Sequence, residues 1–75
     1  MWNLKCINNE EVVSEKVVKF KNIIGRDKIR SFFANNGMPM TDMQKEIVFS
    51  MEQGETLKYY FPNKTKYIEV ERLAD

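Results

Sequence analysis

Apolar and polar residues alternate near both ends of the chain, with the two-residue period of a β-strand. Near the start, the apolar positions are Trp2, Leu4 and Cys6. Near the end, two alternating runs flank the polar stretch 62–65, and their apolar positions are Leu57, Tyr59, Phe61, Ile68 and Val70. We therefore predict an N-terminal strand and a C-terminal hairpin with its turn at 62–65, in which one side of each strand is buried.

The segment from Val12 to Ile24 fits either a strand or a helix. Four of its residues are valines, whose β-branched side chains favour strands over helices. The short polar turn 8–11 before the segment also suits a hairpin. As a helix, the segment would have Asn8 as its N-cap, Glu11 in a capping box, and apolar residues three or four positions apart. The valine content favours the strand, and the helix remains the alternative.

Two helices are predicted in the middle of the chain. Asp27 can cap the first, and the polar stretch 35–37, which ends in glycine, can terminate it. Thr41 and Gln44 have the spacing of a capping box for the second helix, which ends before Gly54. The apolar face of the first helix consists of Ile29, Phe32 and Phe33. The apolar face of the second consists of Met43, Ile47, Val48 and Met51.

The resulting order is β-β-α-α-β-β, which is typical of an α+β domain with a small antiparallel sheet and two helices packed on one face. The length of 75 residues suits one compact domain that spans residues 1–75. If Val12 to Ile24 were helical, the order would be β-α-α-α-β-β, which is the layout of a winged helix. The structure of this segment therefore decides between two folds.

The composition argues against catalysis. The chain contains no histidine, which is the commonest general base, and a single cysteine, Cys6, on the apolar side of the first strand. One cysteine cannot close an internal disulfide, and there is no cysteine–histidine set that could hold zinc. The sequence also lacks a glycine-rich phosphate-binding loop. We therefore expect no catalytic residues, no metal site, no cofactor and no enzymatic activity.

Charge and hydropathy bear on location and on partners. No apolar stretch has the length of a membrane span or the form of a signal peptide, so we expect a cytoplasmic protein without a membrane partner. The net charge of +1 favours no class of partner. The charges are nevertheless uneven, because basic residues predominate from Lys16 to Arg30 and acidic residues from Asp42 to Glu55. Each segment could attract a partner of opposite charge.

A protein-binding surface is the leading hypothesis for function. Met38 and Met40 flank a proline in a connector that should be exposed, and methionine adapts to many binding surfaces. Phe49 falls opposite the predicted apolar face of the second helix, where it would lack a place in the core. The acidic outer face of that helix complements a basic partner. The candidate protein-binding residues are Met38, Met40, Asp42, Glu46, Phe49 and Glu52.

Nucleic-acid binding is the alternative. The C-terminal hairpin interleaves basic and aromatic residues, a combination that can hold phosphates and stack on bases. The candidate residues are Lys58, Tyr60, Lys64, Lys66 and Tyr67, of which the two tyrosines should face away from the core. In a winged-helix layout this hairpin would be the wing, but the helix that should enter the DNA groove carries mainly acidic residues.

In length and composition, the chain resembles the short Lys/Asn/Ile-rich proteins that phages and mobile elements of low-GC bacteria encode, and no motif adds to this resemblance. The resemblance implies an inhibitor or regulator that acts by occupying the surface of an unidentified partner protein, and it assigns no role to any residue. Self-association as a homo-oligomer is compatible with both hypotheses, because a small core without disulfides gains stability from a dimer interface.

Overall fold

The described part of the chain, residues 1–19 and 23–74 of the computed structural model, forms a four-stranded sheet and two helices. The elements are β1 (Trp2–Asn8), β2 (Glu11–Val18), α1 (Ile23–Asn35), α2 (Asp42–Phe49), β3 (Thr56–Tyr60) and β4 (Lys66–Arg72). Neighbouring strands are antiparallel, and their order across the sheet is β2-β1-β4-β3. The predicted α+β fold with the order β-β-α-α-β-β is confirmed.

The ambiguous segment is a strand over most of its length. Residues 12–18 belong to β2, which pairs with β1 along its whole length. Asn9 and Glu10 connect the two strands with φ angles of 51° and 68°, which are the left-handed conformations that a tight two-residue hairpin loop requires. Phe20 lies outside the described residues, and the last two residues of the segment already belong to α1. Because residues 12–18 pair with β1, the winged-helix alternative is wrong.

Helix α1 begins earlier than predicted. It starts at Ile23, so Asp27 does not cap it but lies inside it, where its carboxylate pairs with Arg30 three residues further on. Gly25 is also helical and is buried. The prediction was wrong at this point because it took Gly25 as a helix breaker, whereas the low helix propensity of one glycine does not prevent it from lying in the first turn.

The predicted caps at the end of α1 and at the start of α2 are confirmed, whereas α2 ends at Phe49 with Ser50 as its C-cap, earlier than the predicted end at Gly54. Helix α1 is followed by Gly37 with a φ of 88°, and the Met38 N–H donates to the Phe33 carbonyl at 2.9 Å, which is the pattern of a Schellman motif. Before α2, the Gln44 N–H donates to Thr41 Oγ1 at 3.1 Å, and the Thr41 N–H donates to Gln44 Oε1 at 3.0 Å. These two bonds form the capping box that the sequence pattern predicts.

Both helices pack on the same face of the sheet. The buried cluster between the two layers consists of Trp2, Leu4, Cys6, Val18, Ile29, Phe32, Phe33, Val48, Met51, Ile68 and Val70. In the C-terminal hairpin, Leu57 lies opposite Val70 and Tyr59 opposite Ile68, so the predicted apolar face of the hairpin is the one that meets the helices. Cys6 is a free thiol inside this cluster.

A hydrogen bond between side chains ties the edge strand β2 to α1. The Ser14 hydroxyl donates to Asn36 Oδ1 at 2.7 Å, and the Asn36 amide donates in turn to the Phe32 carbonyl at 2.7 Å. Each bond is partly buried, which shields it from competition with water. The end of α1 is thereby held against a strand that lies at the edge of the sheet.

Candidate interaction surfaces

The connector between the two helices lies against the core. Met38 and Met40 are half-buried and contact the buried cluster, so the prediction that they stand exposed is wrong. The Schellman motif explains the difference, because it reverses the chain at the end of α1 and directs the connector back over the core. Pro39 between them is exposed. Only part of the surface of each methionine is therefore available for contact with a partner.

Helix α2 is rotated relative to the prediction. Val48 is fully buried, and Met51, just beyond the helix, is nearly so. Phe49 is half-buried against the core, with the Arg26 guanidinium 5.4 Å from its ring centroid. Met43, which the helical period assigned to the core, is instead 71% exposed. The expected exposure of Phe49 and burial of Met43 are thus both wrong, because Phe49 packs against the buried cluster and near Arg26, contacts that periodicity alone does not reveal.

The exposed side of α2 combines two apolar and two acidic residues. Met43 and Ile47 are 71% and 45% exposed and lie one helical turn apart. Asp42 and Glu46, two of the predicted protein-binding residues, each precede one of them and are exposed as well. We call these four residues the α2 strip. Glu52, the third predicted acid, is exposed beyond the end of the helix.

The α2 strip is negatively charged. Asp42 Oδ1 lies 3.5 Å from Lys45 Nζ, an exposed pair of the kind that contributes little to stability. Glu46 forms no ion pair with any of the residues that the structure describes. The sequence pattern predicted the two acids but missed the exposed apolar pair, because Met43 and Ile47 fit a helical core period as well as the buried residues do. The strip therefore complements a surface that is both apolar and basic.

The face of the sheet opposite the two described helices carries an apolar row across all four strands. We call this side the open face. From β2 to β3, the row contains Val12 and Val13, Ile7, Tyr67 and Tyr60. Both valines fall on the open face because the pairing register shifts between Cys6 and Ile7, which inserts one extra residue into β2.

A charged row lies beside the apolar row on the open face. From β2 to β3, it contains Glu15, Lys5, Glu69 and Lys58, so the sign of the charge alternates from strand to strand. Lys5 Nζ lies 3.7 Å from Glu15 Oε2. A third row, with Val17, Asn3, Glu71 and Thr56, completes the open face. Glutamates outnumber lysines over the three rows, which gives the face a slight negative charge.

The predicted nucleic-acid-binding residues divide between the two faces of the sheet. Tyr60 and Tyr67 lie on the open face as expected, with ring centroids 5.0 Å apart. Lys58 is on the same face, with its Nζ 5.3 Å from the Tyr67 ring centroid. Lys66 lies on the helix side, where its Nζ is 4.5 Å from the Phe61 ring centroid. Lys66 therefore cannot act in one contact with the two tyrosines.

A cleft with a volume of about 500 Å³ lies between the two hairpin turns. Its lining consists of Asn9, Glu10, Tyr60, Lys64, Thr65 and Tyr67. The turns are joined by a hydrogen bond in which the Asn9 N–H donates to the Thr65 carbonyl at 2.9 Å. Lys64, the last of the five predicted nucleic-acid-binding residues, thus borders the tyrosine pair, but Glu10 borders it too. The cleft contains one charge of each sign.

The titratable groups form no metal site in the described part of the chain. Among those residues, no three acidic, cysteine or histidine side chains converge so that they could hold an ion. Burial raises the pKa of the Tyr59 phenol on the helix side of the sheet. The two described helices are too short and too polar to cross a membrane.

No protein family, curated protein or solved structure matches the chain. The functions of the α2 strip, the open face and the cleft are therefore inferred from the residues that form them. Of the three, the α2 strip combines exposed apolar area with a charge of one sign. The open face and the cleft contain charges of both signs.

Proposed function

We propose that this protein is a non-catalytic binding protein that occupies the surface of a partner protein through the α2 strip, as an inhibitor or regulator. The observation that carries the proposal is the exposure of Met43 and Ile47, one turn apart, each preceded by an exposed carboxylate. The partner surface that fits is an apolar groove bordered by lysine or arginine side chains.

The apolar pair would supply most of the affinity. Burial of the exposed parts of Met43 and Ile47 would contribute about 2–3 kcal/mol. Asp42 and Glu46 would attract a basic partner and would orient it, since complementary charge at the rim of an interface affects association rate and specificity more than affinity. This division of roles predicts that the two kinds of substitution have different effects on binding.

Selection of peptides from a random display library tests the proposal. We expect peptides with large apolar residues next to lysine or arginine to bind the wild-type protein, and Met43→Lys to weaken binding at least tenfold. Val13→Lys is the matched control, because it places the same charge at a position of similar exposure on the open face. Acidic peptides, or peptides that bind Met43→Lys as well as the wild type, would contradict the proposal.

Capture from a low-GC bacterial lysate extends the test to natural partners. The proposal expects a protein that is retained in stoichiometric amount by the wild type and by Val13→Lys, and that is lost with Met43→Lys. Recovery of nucleic acid without a protein partner would overturn it.

Nucleic-acid binding at the hairpin turns is the second candidate function. It is favoured by the adjacent, mutually tilted rings of Tyr60 and Tyr67, which border the cleft together with Lys64. Glu10 in the same lining weakens it, because a carboxylate repels phosphate. Fluorescence anisotropy with a labelled single-stranded oligonucleotide at low ionic strength tests it. Tyr60→Ala should weaken binding, whereas Lys66→Ala, on the other face, should not; absence of binding at low salt would exclude this function.

A further inference from the structure

We infer that the open face binds the open face of a second copy of this chain, with a two-fold axis parallel to the strands between β1 and β4. This axis places β2 of one copy over β3 of the other, and β1 over β4. Each row of the open face then meets the same row of the partner. The inference concerns a different surface from the α2 strip and does not depend on the proposed function.

The order of charges in the charged row carries the inference. The signs run minus, plus, minus, plus across the sheet, through Glu15, Lys5, Glu69 and Lys58. Rotation about the proposed axis reverses this order, so each glutamate faces a lysine of the other copy. Glu15 then lies over Lys58, and Lys5 over Glu69. A two-fold axis along the row would instead place every charge over itself, which is strongly unfavourable. The face is therefore self-complementary in one orientation.

The apolar row provides the hydrophobic part of the same contact. Under the proposed axis, Val12 and Val13 of one copy meet Tyr60 of the other, and Ile7 meets Tyr67. Val12, Val13 and Tyr60 are each between 53% and 57% exposed in the single chain, so this contact removes apolar surface from water. Two sheets that pack with their strands roughly aligned form the usual β-sandwich arrangement, with the sheets about 10 Å apart.

The size of the open face indicates a dimer that dissociates on dilution. Four strands about 4.8 Å apart and about seven residues long cover roughly 20 × 23 Å. The two copies together would bury on the order of 900 Å², which is below the ~1,200 Å² of a standard stable interface. We therefore expect a dissociation constant in the micromolar range or above.

Sedimentation velocity with the full chain, from micromolar to millimolar concentration, tests the inference. The mass should rise with concentration from the 8.9 kDa monomer toward twice that value. Val13→Lys should raise the dissociation constant at least tenfold, because it places a charge in the apolar row. Met43→Lys, the control on the α2 strip, should leave it unchanged. Far-UV circular dichroism of each variant shows whether it is folded.

A charge reversal distinguishes this dimer from any other. Lys5→Glu should raise the dissociation constant at least tenfold, because residue 5 would then face Glu69 of the second copy. Adding Glu69→Lys gives the order minus, minus, plus, plus, which is again complementary under the same axis, so the double variant should regain most of the affinity. Monomer mass at every concentration, a dimer that Val13→Lys leaves intact, or a double variant no tighter than Lys5→Glu would each overturn the inference.

Discussion

Val48 and Met43 lie on opposite sides of α2, and substitution of each by alanine measures how the helix is rotated. Val48 is fully buried, whereas Met43 is 71% exposed. Val48→Ala removes two buried methyl groups, which costs about 1.6 kcal/mol in transfer free energy. The cavity left behind adds up to about 1 kcal/mol, and the higher helix propensity of alanine returns about 0.5 kcal/mol. We expect Val48→Ala to lower the free energy of unfolding by about 2 kcal/mol in total.

Met43→Ala removes a side chain that is mostly in water. Because less than a third of the area of Met43 is buried, we expect its substitution to lower the free energy of unfolding by about 0.5 kcal/mol or less. A domain of 75 residues has a free energy of unfolding of about 4–11 kcal/mol, so both variants should remain folded. The melting temperature should fall by about 8–16 °C for Val48→Ala and by less than about 4 °C for Met43→Ala.

Urea unfolding monitored by Trp2 fluorescence provides the measurement, because Trp2 is the sole tryptophan and is fully buried. The experiment is run at two low protein concentrations, so that any association of the chain is recognised as a concentration dependence. If Met43→Ala lowers the free energy of unfolding as much as Val48→Ala does, then Met43 lies on the buried side of α2. That result would also refute the proposal that the α2 strip binds a partner.

Three further experiments test other parts of the structure. Glu10→Gly should stabilise the protein by about 0.5–1 kcal/mol, because Glu10 has a φ of 68° that glycine adopts without strain; a lower urea midpoint would contradict this. Tyr59→Phe should leave stability at neutral pH unchanged or raised by up to ~1 kcal/mol, because the phenol oxygen has no hydrogen-bond partner among the described residues. Burial raises the pKa of Tyr59, so the folded state holds the proton more tightly. The wild type should then lose stability as the pH rises above ~10, and Tyr59→Phe should lose less. Urea midpoints of both proteins, measured at neutral and at alkaline pH, test this difference. A double-mutant cycle of Ser14→Ala and Asn36→Ala should give a coupling of about 0.5–1.5 kcal/mol for the 2.7 Å bond, and a coupling near zero would show that the bond does not hold β2 to α1.

Much of the fold was predictable because its signals are local. The alternation of Leu57 and Tyr59 identified the buried side of the hairpin, and the pairing with Val70 and Ile68 confirms it. The capping box of Thr41 and the glycine after α1 also act within a few residues of the chain. The valines of β2 were more ambiguous, because β-branched residues can still be placed in a helix if packing demands it.

The candidate sites were less predictable because they depend on contacts between elements. The sequence pattern assigned Met43 to the core and Phe49 to the surface, and both assignments are wrong. The helical period alone does not show which side of a short helix is buried when two neighbouring sides both contain apolar residues. In α2, Phe49 lies against the buried cluster and near Arg26 of α1, and these contacts join parts of the chain that the helical period does not connect. Lys66 is a different case, because its alternation with Ile68 and Val70 already indicated the helix side in the sequence, and grouping it with Lys58 overlooked that signal.

Local signals in the sequence were sufficient for the class of fold, since alternation, turn residues and helix caps each act over a few neighbouring positions. The composition of the exposed surfaces depends instead on how the strands and helices come together. The order β2-β1-β4-β3 brings β1, at the start of the chain, next to β4, at its end. Only this pairing places Lys5 between Glu15 and Glu69 and aligns their charges in one row. Such a row joins residues far apart in the chain, and its members interact only because the folded sheet places them on neighbouring strands.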